Sequence, residues 1–202
     1  MTATRKQFKG ILEFLGDECI HGYMHFRFWR SVNNAFMEMP DTRRRYSLFF
    51  KVTWAAHDDA ALLYLTRLYD RNHDSVTIHR MLKVANSNVD LFKHAMPGQV
   101  TAEVESDTKL FEKTLDPILK RLKAHRDTHV SHNDRSLLDP EAPFPADRKL
   151  DRRQAESLYR ITIETINKYS LLLDDSETIM DNVIGEERVE LLFKDLRNLS
   201  RD

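Results

Sequence analysis

The stretch "FKGILEFLGDECIHGYMHFRFWRSVNNAF", residues 8–36, places Phe8, Leu12, Leu15, Cys19, Gly22, Phe26, Trp29 and Phe36 at alternating steps of four and three residues, interrupted by Asn33. An α-helix turns once in 3.6 residues, so this spacing lines one side of a single rod, and a side so apolar has to be buried. Gly10, Gly16 and Gly22 each weaken that rod by about 1 kcal/mol against alanine, which requires either compensating packing or a bend. Pro40 and Asp41 then mark a turn.

The same period continues along the chain. In "YSLFFKVTWAAHDDAALLYLTRLYD", residues 46–70, Leu48, Val52, Ala55, Ala56, Leu62, Leu63 and Tyr69 fall at helical spacing, with small alanines that admit a close neighbour, and the segment reads as a central helix. "RNHDS" connects it to a short helix bearing Ile78, Met81, Leu82 and Val84, with Asp74 or Ser75 as its cap. After "MPGQVT", a fourth segment starts near Thr101 and carries Val104, Phe111, Leu115, Leu119 and Leu122. Pro117 makes it either one kinked rod or two helices meeting at Asp116 and Pro117, with Asp116 as cap and proline in the first helical position. Residues 131–149 hold three of the six prolines and read as a loop. A fifth helix begins at Asp151, where Gln154 suits a capping box, and carries Leu158, Ile161, Tyr169, Leu172 and Leu173; a last one covers about Ile184 to Leu199. No strand pattern appears, so the expected class is all-α, a helical bundle of about five to six helices.

Composition narrows the function classes. A chain of 202 residues is long enough for one domain with a real core, and a single helical domain over 1–202 is expected. Basic and acidic residues nearly cancel to a net charge of -1, so there is no global basic field and any nucleic acid must be held by a local patch. Cys19 is the single cysteine and has no intrachain partner, which suits a reducing compartment. No apolar run reaches membrane-spanning length, and "MTATRKQFKG" lacks the apolar stretch of a signal peptide, so the expectation is a cytoplasmic protein with no membrane partner.

The chemistry concentrates in "AHRDTHVSHND", residues 124–134, where three of nine histidines fall within eight positions. Three readings are open on the residues alone. Cationic side chains suit a helix C-terminus. His125, His129 and His132, at spacings of four and three, could reach one metal ion, although no glutamate stands beside them and Asp127 projects from another side. Arg126 and His132 together could work on a phosphate, the guanidinium holding phosphoryl oxygens and the imidazole exchanging a proton. Spacing does not choose among them: chance alone yields about two or three such arginine and histidine pairs in a chain this rich in both, and Arg67 with His73 is a second one.

Flanking residues carry more. "RDTHVSHND" resembles the signature of the HEPN superfamily, all-α ribonucleases and related proteins of bacterial toxin-antitoxin and phage-defence systems, whose motif is an arginine, a polar residue and a histidine a few positions on. Here these are Arg126, Asp127 and His132. With aspartate two positions after the histidine, the stretch is most similar to the abortive-infection branch; "AALLYLTRLYD" looks like the helix end of that branch, and Trp29 lies on a preceding helix as the resemblance requires. Some members carry a tyrosine at the position of Asp134, modified by a nucleotidyltransferase antitoxin, so that mode of control is not implied for this chain.

The resemblance implies a metal-independent endoribonuclease without cofactor that cleaves RNA through attack of the ribose 2'-hydroxyl. It implies a homodimer whose two motifs face each other across a cleft. In one unbroken helix, Arg126 and His132 stand about 120° apart around the axis and about 9 Å along it, so they converge poorly within one chain. Arg126 is expected to stabilise the scissile phosphate, His132 to act as base or acid, and Asp127 to orient one of them, with His129, His125 and Lys123 assisting or binding RNA. Seven Lys and Arg against four Asp and Glu between Lys109 and Arg135 are compatible with that partner. An antitoxin or other regulatory protein is a further possible partner, and the alternative is a non-catalytic HEPN-like domain for dimerisation or for binding a partner or nucleotide. Arg43, Arg44 and Arg45 are candidate phosphate contacts, His21 and His25 suit a core or interface place beside Phe26 and Trp29, and His57, Asp58 and Asp59 are expected to meet solvent.

Overall fold

A computed structural model describes residues 2–38, 47–72, 74–127, 150–174, 176, 191–195 and 198. Among these the chain forms α1 (Arg5–Glu38), α2 (Ser47–Leu68), α3 (Ile78–Ser87), α4 (Gln99–Lys109), α5 (Asp116–His125) and α6 (Arg152–Asp174), with a 3-10 turn at Val89–Leu91 and a π-turn at Leu110–Thr114. Residues 191–195 are also helical, and no strand occurs among the described residues, so the bundle is all-α as the periodicity requires. The remainder of the helix expected over 184–199, and Arg43 to Arg45, lie outside the described residues.

The long stripe of α1 is buried: Phe8, Leu12, Leu15, Cys19, Phe26 and Trp29 are joined there by Tyr23, Val32 and Ala35. Each fully buried Leu or Phe contributes about 1.5–3 kcal/mol relative to exposure, which offsets the glycine cost of this helix several times over. Gly22 has a specific reason to be glycine. A Cβ there would sit 2.5 Å from Tyr159 Oη and 2.5 Å from Tyr64 Cβ, so α1, α2 and α6 approach one another through the space that a side chain would fill. Tyr159 itself is fully buried and donates to the Ala61 carbonyl at 2.5 Å, stitching α6 to α2.

α2 departs from the reading of its stripe. Leu48 (76% exposed), Val52 (61%), Ala55, Ala56 and Leu63 face outward; of the expected stripe Leu62 and, just past the helix end, Tyr69 are buried, joined on the inward side by Phe50, Ala61, Leu65 and Leu68. The segment is apolar on both sides, so periodicity detected a helix but not its inward face. His57 is likewise half-buried rather than solvated: its ring lies 4.1 Å from that of Phe28, and its Nδ1 is 2.8 Å from Nδ1 of His25 across the α1–α2 seam. His25 also stacks on Tyr64, which gives it the interface place expected beside Phe26 and Trp29.

Two polar ties fix α6. Tyr69 Oη donates to the Leu158 carbonyl at 3.2 Å and shares a hydrogen bond with Thr162 Oγ1. Asp107, buried on α4, accepts from Tyr169 Oη at 2.9 Å and from Lys168 Nζ at 2.7 Å, so its charge is paired and hydrogen-bonded as burial demands. The start of α6 follows the expected capping box, with Asp151 N–H donating to Gln154 Oε1 and Arg153 N–H to Asp151 Oδ1. α3 is capped by Thr77, whose hydroxyl accepts from the Arg80 N–H at 3.3 Å, and not by Asp74 or Ser75.

The junction at Pro117 resolves into two helices with an insertion between them. Proline supplies no N–H and its ring crowds the carbonyl four residues back, so an α-helix cannot run through unaltered. The chain widens over Leu110–Thr114, where the Leu115 N–H reaches the Leu110 carbonyl at 2.9 Å, five residues back, before α5 starts. Pro117 then occupies the first turn of α5, one place later than expected, and Asp116 does not cap with its side chain; its carboxylate turns to Lys120 Nζ at 2.6 Å.

Candidate functional site

α5 presents two different flanks. Leu119 and Leu122 point at the bundle, Leu122 fully buried, and Arg126 takes the next place on the same stripe, where the helix leaves the core. Lys120 and Lys123, three residues apart, line the same groove as Arg126, three residues further on. Opposite them stands the C-terminal end of α2 with the residues after it, Thr66, Tyr69, Asp70, Arg71 and Asn72, and between the two lies a groove of about 480 Å³.

The groove is cationic but not uniformly so. Arg71, Lys120, Lys123 and Arg126 line it against Asp70 and Asp116. Asp116 is already engaged by Lys120 and, at 3.4 Å, by Arg71; its hydrogen bond to Lys120 holds the carboxyl below the ordinary carboxylate range. Tyr69, on the wall, is spent on Leu158 and Thr162, and burial pushes its phenol far above the usual range, so it offers no proton chemistry. Thr66 donates to its own helix carbonyls at Leu62 and Leu63.

Arg126 is the residue whose geometry suggests preparation. Its Nε and Nη2 both donate to Oδ1 of Asp127, at 2.7 and 2.5 Å, and the two side chains are 27% and 38% exposed. A guanidinium carries five N–H donors in a rigid plane. Two are taken by Asp127, and the other three have no partner among the described residues. The pairing therefore orients the plane without consuming it. Beyond His125 the backbone widens again, with Arg126 and Asp127 in π conformation, a local geometry frequent where a helix serves a site.

The structure brings Arg126 and Lys123 together at the groove, with Asp127 paired to Arg126 but not lining it. His125 goes elsewhere: its Nδ1 accepts the Leu150 N–H at 3.4 Å, toward the start of α6, and it is not among the groove residues. His129, His132 and Asp134 lie outside the described residues, as does His73 of the second arginine and histidine pair. Arg71 and Lys120 were missed by sequence reasoning. The available signal for Arg71 was its place directly after a helix end, and for Lys120 the three-residue spacing to Lys123. Among the described residues no three His, Cys, Asp or Glu side chains converge on one point, and no helix is long and apolar enough to cross a membrane.

Comparison with known proteins agrees with the motif. The model of a HEPN family described as AbiU2 matches residues 5–192, taking in α1 to α6 and the whole of the arginine and histidine stretch. No curated protein and no solved structure matches.

Proposed function

The chain belongs to the AbiU2 family of HEPN-like abortive-infection domains, and from that membership we propose that it is a metal-independent endoribonuclease working as a homodimer. Arg126 binds the two non-bridging oxygens of the scissile phosphate and neutralises the charge that grows on them. His132 of a composite site takes the proton of the ribose 2'-hydroxyl or returns one to the leaving 5'-oxygen. The 2'-oxygen bonds to phosphorus, the bond from phosphorus to the 5'-oxygen breaks, and the ends are a 2',3'-cyclic phosphate and a 5'-hydroxyl. Asp127 is a positioning residue that fixes the guanidinium plane.

The observation that carries this reading is Arg126 itself, oriented by Asp127 with part of its donor fork unpaired among the described residues, at the edge of a groove lined by three other cations. Phosphate neutralisation is what such a lining is suited to. A two-fold axis at the motif brings its second copy against the first, because identical patches meet across such an axis.

The test is cleavage of RNA in the presence of chelator. Wild type should cut, and Arg126→Ala and His132→Ala should each abolish cutting while remaining folded. Asp127→Asn should lower kcat by about 100-fold by loosening the guanidinium. Cleavage that survives both alanine variants, or that needs added metal, would show the mechanism to be wrong. A folded dimer that binds but never cuts would point to the non-catalytic alternative.

A further inference from the structure

The groove at Arg126 does not end at Arg71. A second groove, of about 440 Å³, shares Asp70, Arg71 and Asn72 with it and is lined further by His79, Arg80 and Lys83 of α3. Each is large enough for about one nucleotide. Arg80 and Lys83 are three residues apart on one helix face, so their stems start about 5–6 Å apart, comparable with the spacing of successive phosphates on a strand.

We propose that the RNA strand cut at Arg126 continues past Arg71 into this second groove, where Arg80 and Lys83 hold the phosphates of the flanking nucleotides. The proposal rests on the ribonuclease reading and adds to it where the substrate runs. Three cations face two carboxylates there, Asp70 and Asp74, and Asp70 already accepts the Asn72 N–H at 3.1 Å. Lys83 is exposed and makes no ion pair among the described residues. His79 is on the same wall, its pKa lowered by burial first and then by the nearby Arg71, with Glu112 opposing. A grip through Arg80 and Lys83 on phosphates carries no sequence information.

This favours a strand over a single nucleotide, since two adjoining cationic grooves share Arg71 as their common wall. The measurement is fluorescence anisotropy of a 2'-O-methyl RNA dodecamer, which cannot be cleaved because its nucleophile is blocked. Wild type is compared with Lys83→Glu, with the Arg80→Gln, Lys83→Glu double variant, and with Lys51→Glu, whose residue stands near the far end of α2, about 26 Å along the helix from the Leu68 end that precedes Arg71. The double variant should weaken binding about tenfold or more and reduce the salt slope by about 1.4, and Lys83→Glu alone, at an exposed position that keeps the fold, by about 0.7. Lys51→Glu should change neither.

Weakening no greater than that of Lys51→Glu, an unchanged salt slope, or tighter binding of a mononucleotide than of the dodecamer would each overturn the strand path. Failure of the ribonuclease reading looks different. In that case wild type binds the dodecamer through this groove and leaves RNA with free 2'-hydroxyls uncut. Absence of any RNA binding would remove both.

Discussion

Two arginines of this chain precede a histidine by six residues, and their surroundings differ in kind. Arg67, on α2, reaches across to Glu18 of α1 at 2.7 Å and lies over the ring of Tyr64 at 4.4 Å. Its charge is answered by another helix, and its plane is covered by an aromatic face. Arg126 is answered only by its sequence neighbour Asp127 among the described residues, and it lines a groove with Arg71, Lys120 and Lys123. A guanidinium tied to a different element holds the fold together; one oriented from beside itself keeps a face for something else. Spacing is identical in the two cases, so the distinguishing property is which partner takes the charge.

The largest effect separates the two directly. Arg126→Ala should remove RNA cleavage, a loss on the order of 100-fold or more for a group that stabilises a transition-state charge, while Arg67→Ala should leave cleavage intact and cost under about 1 kcal/mol of stability, as expected for an exposed ion pair. A cleavage assay beside a thermal melt reads both. Equal loss of cleavage in the two variants would erase the contrast.

Next comes the seam that Arg67 helps to close. Gly22→Ala puts a methyl group onto Tyr159 and Tyr64, and overpacking of this sort costs about 1–3 kcal/mol. For a chain of this size the melting temperature should fall by roughly 2–4 °C per kcal/mol, with cleavage per folded molecule unchanged. An unshifted melt would mean that α1, α2 and α6 are not held as close as described.

The smallest expected effect is a pH dependence in the same seam. Burial, and then the neighbouring histidine in each case, lowers the pKa of His25 and of His57 from 6.5. Their immediate surroundings are His21, Phe28 and Tyr64, with no acidic partner in contact with either ring among the interactions described. Below 6.5 the unfolded chain therefore binds protons that the folded seam resists. Stability should be full above that value and decline as pH drops toward the depressed folded values. His57→Gln should flatten the decline, measured as the denaturation midpoint at about pH 7.5 and about pH 5.5. An equal slope in wild type and variant would place the titration elsewhere.

Much of the architecture could be read from periodicity because burial of one face is its physical cause. Phe8, Leu12, Leu15 and Cys19 on α1, and Ile78, Met81 and Leu82 on α3, are buried where their spacing put them. α2 was legible as a helix and not as an orientation. Leu48, Val52 and Ala55 compete with Phe50, Leu65 and Leu68 for the inward side, and only the partners on α1 and α6 decide. Polar residues on the winning side disguise it further, since Thr66 is satisfied by its own backbone and His57 by another histidine. At the site, Arg126 and Asp127 were visible through family resemblance, whereas Arg71, from a different helix end, joins them only through the fold. The thiol of Cys19 had no chemistry to reveal: burial pushes its pKa up to about 12 and leaves it inert.

The widened turn at Leu110–Thr114 constrains length as tightly as the motif constrains identity. Such a turn holds one residue more than an α-helix of equal rise, so losing a single position there would let it close to ordinary helix with α5 in place, whereas gaining one that the turn did not absorb would swing α5 by about 100° around its axis. Leu122 would rotate out of the core, and Arg126 would be carried off the groove with its identity intact. Among descendants of this chain, point replacements at Glu112 or Lys113, both exposed, should be tolerated where one-codon insertions are purged.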